Sequence, residues 1–473
     1  MAEYVLPLLM FLTLLALMMT GYSIGVILGG VSILFGFIGM AFDLFRFNEF
    51  FLLVPRVWFL AENLQLVAVP LLILMGVLLE RSRLAQDLLL ALGLLLRGIP
   101  GGTALSVTVM AVLFAAITGV VGASVIVMTL IALPPMLRAG YHPPLALGTI
   151  AASSTLGIMI PPSILLVFLC EMLQISYGYL FAAAIYPGLC LAGLYILYIA
   201  AHAFLKPGAA PKLSREQFLE AQPAELRVDE PSRLKIALLI ARGIIPTAIL
   251  ITLVMGSVLS GIFTVTESAA VGVAGALILA IIRNGLDLKG LHESLGRASM
   301  TIGMVALLFI GATSFAYVFR LLGGEEAILA LIDFGALDAW GVLTLVIALI
   351  FLMGFFFDVL EILLIALPIF GPIVAPLEFG DHIAQADVVY WFAILVAITL
   401  QTSFLTPPMG LSLFYIKGVA PKGISMRQIY LGIIPFVVLQ MACVALVMWQ
   451  PGLVVSLPQL LFESKPYLSL IHI

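Results

Sequence analysis

Uncharged runs long enough to cross a bilayer, one after another, constrain this chain more than any motif in it. Leu105 to Leu137 contains no Asp, Glu, Lys or Arg, and neither does Tyr179 to Phe204. A membrane helix needs about 20 apolar residues, and in lipid every backbone polar group must be satisfied within helices or closed barrels. Only 10% of the 473 residues are charged, while 63% are apolar. So few charges could not coat a water-soluble globule of this length, and a disordered chain needs the opposite composition. The reading is an all-α polytopic membrane protein.

Further candidate spans are Trp58–Leu79, Pro144–Leu169, Ile236–Ile262, Ala269–Ile282, Ala298–Leu322, Val342–Pro376, Val388–Val419 and Ile429–Trp449. Tyr4 to Phe42 reads as mature membrane helix, one long bent span or two short ones. A cleaved signal would begin with positive charge and have a shorter apolar run, and the first basic residue here is Arg46. Leu84–Leu96 is too short to span and reads as interfacial or re-entrant. Glu3 before the first run, with Arg46 and Arg56 after it, favours an external N-terminus. Counted together, these runs predict about 11 transmembrane helices.

The charge balance, 21 basic against 25 acidic, offers no basic field for nucleic acid. Cys170, Cys190 and Cys443 form no CxxC pair and read as core residues. The five histidines are scattered without HExxH spacing, so no metal beyond sodium is expected. Lys206 to Lys235 is the only extended hydrophilic piece, with six basic residues and five acids. It reads as a cytoplasmic linker between two membrane halves, or as a regulatory motif.

An internal repeat runs through the apolar background. LIALP occurs at Leu130–Pro134 and at Leu364–Pro368. A Pro-Pro pair follows each: GTIAASSTLGIMIPPS from Gly148 to Ser163, and ITLQTSFLTPPMG from Ile398 to Gly410. A further proline, Pro187 or Pro435, comes early in the next helix. The second copy carries roughly twelve extra loop residues, within LEFGDHIAQADVV.

Before each LIALP the apolar run is interrupted, by Gly119, Gly122 and Ser124 in the first copy and by Gly354, Asp358 and Glu361 in the second. Registering the two copies sets Ser124 opposite Asp358. Arms of about 13 residues rise only ~20 Å, too little to cross, so each copy predicts a re-entrant hairpin. The proline pairs Pro161-Pro162 and Pro407-Pro408 remove backbone donors and should unwind their helices. Ser153, Ser154, Thr155 and Gly157 precede the first break; Thr399, Gln401, Thr402, Ser403 and Thr406 precede the second. Unwound backbone at membrane depth is tolerated where it is buried or lines a cavity. Freed carbonyls and hydroxyls suit sodium, and half-helix N-termini suit an anion. The plainer reading is a pair of proline kinks for packing.

A central carboxylate costs roughly 2.5–3.5 kcal/mol on insertion scales, so Asp358 and Glu361 stand near a cation site or substrate cavity, or at a hairpin mouth in water. The substrate cavity is expected around Thr155, Ser163, Asp358, Glu361 and Thr402. Glu267 reads either as a helix cap or as functional, and Glu171 as interfacial. No Walker A sequence is present, so active transport must draw on an ion gradient or another subunit. No polar catalytic cluster marks an enzyme.

At these residues the chain resembles a known family. TGVVGASVIVMTLIALPPMLRAGYHPPLALGTIAASSTLGIMIPPSILLVFL, TVTESAAVGVAGAL, FLMGFFFDVLEI and LQTSFLTPPMGLSLFYIKGVAP are similar to the large membrane subunit (DctM-like) of tripartite ATP-independent periplasmic (TRAP) transporters. The likeness runs from about Ala61 to Val447. The long linker and TSFLTPPMG most resemble the mannitol, chloroaromatic or 2-oxo acid branch. The resemblance implies two inverted repeats, each with a re-entrant hairpin and a broken helix, moving elevator-fashion on a fixed scaffold and driven by sodium. It divides the chain into scaffold helices (1–104), first repeat (105–204), linker (205–235), scaffold (236–340), second repeat (341–450) and tail (451–473). It places a first sodium site on Gly119, Gly122, Ser124, Ser153, Ser154, Thr155 and Gly157. A second falls on Asp358, Gln401, Thr402, Ser403 and Thr406. It further implies a DctQ-like small membrane subunit, a DctP-like periplasmic binding protein, an organic anion as substrate, no cofactor besides coupling sodium, and the bacterial inner membrane. A stand-alone sodium/anion symporter of the divalent-anion type remains the alternative.

Overall fold

The computed structural model describes residues 2–82, 84–118, 121–221, 233–335, 337–407 and 410–463, and no strand occurs among them. The N-terminal run is two helices, α1 (Ala2–Met18) and α2 (Ile24–Ala41), parted near Gly21 at φ +79°. α3 (Leu53–Glu62) and α4 (Ala68–Arg81) follow. Trp58–Leu79 is therefore not one span. Asn63 Oδ1 accepts the Gln65 N–H at 2.9 Å, an Asx turn that competes with the helix. Trp58 and Phe59 of α3 remain 63% and 65% exposed, as expected of an aromatic belt at the membrane surface. α5 (Leu84–Leu96) is short but buried on most of its length.

The first hairpin is α6 (Gly102–Thr118) and α7 (Val121–Arg138); the first broken helix is α8 (Pro143–Thr155) and α9 (Ile164–Leu173), followed by α10 (Tyr177–Leu205). After α11 (Arg215–Ala221) come α12 (Arg233–Leu259), α13 (Val265–Asn284), α14 (Leu288–Leu321) and α15 (Gly324–Phe334). The second hairpin is α16 (Ala339–Met353) and α17 (Val359–Val374); the second broken helix is α18 (Val388–Leu405) and α19 (Leu411–Val419), then α20 (Met426–Trp449) and α21 (Gly452–Pro458). Among the described residues, seven helices are long and apolar enough to cross a membrane. Most of the shorter apolar ones are the hairpin arms and half-helices that the glycine and proline interruptions predict.

The two repeats interlock. α7 packs on α19 and α17 on α9, so each hairpin's returning arm meets the other repeat's broken helix. α8 packs on α20, and α18 on α10. α8 and α18 lie at the centre, buried around most of their circumference, as helices apolar on every side must be.

The hairpin mouths lie on opposite faces. The Gly101 N–H donates to Ala210 O and the His142 N–H to Ala209 O, so hairpin 1 begins and ends beside the linker. At hairpin 2, Trp340 at the start of α16 packs edge-on against Phe379 and Trp391, and the Trp391 indole donates to Val447 O near the end of α20. Between the linker and hairpin 2 the chain crosses three times, in α12, α13 and α14, and an odd number of crossings inverts the second repeat. α2 runs parallel to α14, with Gly25 against Gly311 and Gly39 against Leu322. Arg46 and Arg56 therefore lie on the face opposite the linker. Pro7 and Leu8 share a cavity wall with Gly324 and Ala327 on that face, so the basic residues do not lie across the membrane from the start of α1. Two helices return the chain to the face it began on.

The linker is more than a tether where it is described. The Leu213 N–H donates to Arg97 O. Phe218, 1% exposed, sits with Leu213 against Leu90 and Leu94 of α5. A side chain at Gly93 would collide with its ring at 2.4 Å. Residues 222–232 of the linker and 464–473 of the tail lie outside the described residues. The tail's first part is folded: α21 packs on α10, and Gln459 Nε2 donates to Asp387 Oδ2 at 3.0 Å.

Candidate functional site

At the first break, helical geometry ends at Thr155, passes through a tight turn at Leu156–Ile158 and restarts at Ile164. Pro161 and Pro162, joined by a cis bond, have no N–H to give the carbonyls of Gly157 and Ile158. Ser163 repairs one of these: its hydroxyl donates to Ile158 O at 2.6 Å and accepts the Leu165 N–H at 3.2 Å. The expected cavity residue Ser163 thus has a local duty as the cap of α9. The Gly157 carbonyl keeps no helical donor. Ser154 Oγ donates to Ile150 O at 2.7 Å and Thr155 Oγ1 to Ala152 O at 2.8 Å, while Ser153 Oγ lies 3.0 Å from Thr108 Oγ1. A hydroxyl whose proton is committed to a backbone carbonyl offers only lone pairs to anything else. Such oxygens are hard, uncharged donors.

The second break repeats the pattern. α18 ends at Leu405, and Pro407 has no N–H for the carbonyl of Ser403, the residue that the proline register sets opposite Gly157. Thr399 donates to Leu395 O at 2.8 Å, Thr402 to Thr399 O at 2.5 Å, and Thr406 to Thr402 O. The Gln401 amide and the Ser403 hydroxyl, both buried, have no hydrogen-bond partner among the described residues.

Tip 2 rests directly on this break. A Cβ on Gly354 would stand 2.0 Å from Ser403 Oγ, so only glycine lets the hairpin approach. Asp358 is the N-cap of α17, and its N–H donates to Glu361 Oε2 at 2.9 Å. Both carboxylates therefore serve a helix N-terminus, where the dipole favours negative charge. Asp358 Oδ1 is buried without a partner among the described residues. The structure brings tip 2 and break 2 together, but no hydrogen bond is described from Asp358 to Gln401, Thr402, Ser403 or Thr406.

For the first expected site, α7 packs along α8 and α6 along Leu156–Ile158, so hairpin 1 embraces break 1. Ser124 is buried and Gly122 partly so; Gly119 lies outside the described residues, as does Pro408. Glu267 takes its capping role, accepting the Thr264 N–H at 2.8 Å. Glu171 is buried rather than surface-lying. Asn63 donates to it, and Tyr177 donates to its Oε2 at 2.9 Å.

Three residues near the breaks had no local signal. Gln440 of α20 is fully buried and reaches Thr155 Oγ1 from 3.5 Å, with Tyr195 of α10 beside both. Tyr415 of α19 stands against Gly122 of tip 1.

The chain matches the family described as "Tripartite ATP-independent periplasmic transporter, DctM component" over residues 11–453. It belongs to this family. The C4-dicarboxylate TRAP transporter large permease protein DctM of Pseudomonas aeruginosa is 28% identical over 409 residues, covering 85% of this chain and 88% of its own. The sialic acid TRAP transporter large permease protein SiaM of Vibrio cholerae is 30% identical over 409 residues, covering 84% and 87%. Among solved structures, the YdaH transporter of Alcanivorax borkumensis matches with a TM-score of 0.56 at 14% identity, covering 85% of this chain and 89% of that one. That last likeness is one of fold. As a DctM-family protein the chain is a multi-pass membrane permease, one component of a tripartite transporter that takes two partners, a substrate-binding protein and a small membrane subunit.

Proposed function

We propose that this DctM-family permease imports a small organic anion bearing a carboxylate, driven by a sodium gradient, by moving its two interlocked repeats against the remaining helices. The single observation that carries this is tip 2 seated on break 2. There a glycine tip meets a helix opened by prolines, beside the buried amide of Gln401 and hydroxyl of Ser403. Hydroxyl lone pairs and the freed Gly157 and Ser403 carbonyls supply the oxygen donors that a desolvated sodium ion needs, and half-helix N-termini face the anion. The named substrates of the two relatives, a C4-dicarboxylate and sialic acid, support an acid as cargo; the TSFLTPPMG wording resembles the branch of mannitol, chloroaromatic or 2-oxo acid carriers without choosing among them.

Elevator movement is supported by the seam between hairpin 2 and its surroundings. α16 and α17 face α1 and α15 across an apolar cavity of about 710 Å³ rather than a close-packed joint. Two polar ties cross between repeats and scaffold on the face opposite the linker: Asn63 to Glu171, and Arg320 Nη2 to Pro368 O at 3.1 Å. The Pro368 carbonyl is open to Arg320 because Pro372, four residues on, has no N–H. Basic residues gather on the linker face, among them Arg81, Arg138, Arg283, Lys417 and Arg427, which supports a cytoplasmic linker face; the family supports the bacterial inner membrane as the location. A DctQ-like subunit would complete the scaffold and a DctP-like protein would deliver the anion. Proteoliposomes holding all three components test the reading: accumulation should collapse when the sodium gradient is abolished, and undiminished accumulation refutes it.

A further inference from the structure

Tyr415 lies eight residues beyond Pro407 on α19, and its ring lies on the tip of the other repeat's hairpin. A Cβ built on Gly122 would stand 2.9 Å from its Cε2, 3.2 Å from its Cζ and 3.3 Å from its hydroxyl oxygen. Glycine at 122 is therefore a seat cut for this ring. The register of the repeats sharpens the point. Aligning the proline pairs sets Leu169 opposite Tyr415, and aligning the LIALP copies sets Phe356 opposite Gly122. Neither Leu169 nor Phe356 is glycine, so the seat belongs to hairpin 1.

We infer that Tyr415 is a positioning residue that locks the tip of hairpin 1 to the second broken helix, so that the two proposed cation sites are set together rather than one at a time. The inference rests on the sodium reading above. Tip 1 carries Gly122 and Ser124 of the first site, and α19 hangs directly from the break that forms the second. Moving the ring therefore displaces the tip and strains the break at once. The ring does this, not the hydroxyl.

The test uses the full-length chain in detergent and sodium alone as the probe, with choline chloride holding ionic strength. Sodium-dependent thermal stabilisation yields the half-saturating concentration. Tyr415→Ala and Gly122→Val should each raise it about tenfold, the loss expected when one packed contact of about 1.4 kcal/mol is removed. Tyr415→Phe, which keeps the ring, should stay close to the parent. Gly122→Ala should be impaired, and adding Tyr415→Leu to it should recover part of the loss, the non-additivity expected of residues in contact. If the parent responds to sodium and Tyr415→Ala and Gly122→Val respond identically to it, the inference is wrong. It is equally wrong if Tyr415→Phe is as impaired as Tyr415→Ala, or if the paired substitution shows simple additivity. A parent that does not distinguish sodium from choline overturns the sodium reading itself, and this inference with it.

Discussion

The two hairpins share a backbone plan and differ in how each is closed. Hairpin 1 is closed at its mouth by the linker, through the Ala209 and Ala210 carbonyls and the ring of Phe218. Its tip is small and uncharged around Gly122 and Ser124. Among the described residues, hairpin 2 has no such strap. Trp340, Phe379, His382 and Trp391 close its mouth as an aromatic cluster, with ring centroids 4.8 to 5.9 Å apart. Its tip holds two carboxylates. Inverted repeats thus supply matching geometry on both faces, while side chains make the faces chemically unlike. Two backbone bonds tie the mouth of hairpin 1 to a segment that can be cut, and a third bond and one buried ring hold that segment on the end of α5; edge-on ring contacts and hydrogen bonds from Trp391 and His382 to the end of α20 hold the mouth of hairpin 2.

Six substitutions at five positions attack this contrast. Phe218→Ala removes a buried ring from the strap and should cost about 3–5 kcal/mol locally. Limited proteolysis should then cut the 206–221 segment much faster, with hairpin 2 unaffected; equal cleavage rates would mean the strap does not hold. Gly354→Ala drives a methyl group into Ser403, an overpacking of about 1–3 kcal/mol that should lower uptake about ten- to hundredfold. Because Ser403 belongs to the proposed second cation site, the rescue is read in melting temperature: Ser403→Gly in the same chain should restore part of the stability lost, and failure to restore it would remove the tip-on-break contact from the account.

Glu361 separates charge from capping. Glu361→Ala loses the acceptor for the Asp358 N–H and should cost about 1 kcal/mol of thermal stability. Glu361→Gln keeps an acceptor and should melt close to the parent. If the two melt alike, the carboxylate's charge rather than its cap is what tip 2 needs. Smallest is Trp340→Leu, which gives up aromatic pairs worth about 0.5–1.5 kcal/mol each beyond their burial. A small fall in melting temperature with unchanged sodium dependence is expected, and a change in sodium dependence would mean the mouth of hairpin 2 communicates with its tip.

Interruptions written into the covalent chain were legible. Pro161, Pro162 and Pro407 cannot donate a backbone hydrogen, and Gly354 has no Cβ, so both breaks and the second tip could be placed from residues alone. The roughly twelve extra residues of the second copy indeed form the loop that carries Phe379 and His382. The turn at Asn63 was missed because an apolar window averages over one asparagine, although Glu62, Asn63 and Gln65 lie close together there. Phe218 was the one aromatic in the hydrophilic linker, a clue that composition alone buried. Tyr415 and Gln440 carried no signal, since a phenol or an amide in an apolar helix says nothing about which helix will face it.

Composition and local backbone chemistry by themselves determined that this chain lies in a membrane, that it is helical, and where its helices must open. Those properties depend on water's absence and on bonds each residue can or cannot make with its own neighbours. Which tip rests on which break, which face each mouth occupies and which ring fills the seat at Gly122 were decided by tertiary structure. These depend on residues hundreds of positions apart arriving at one place, and no periodicity along the chain encodes that distance.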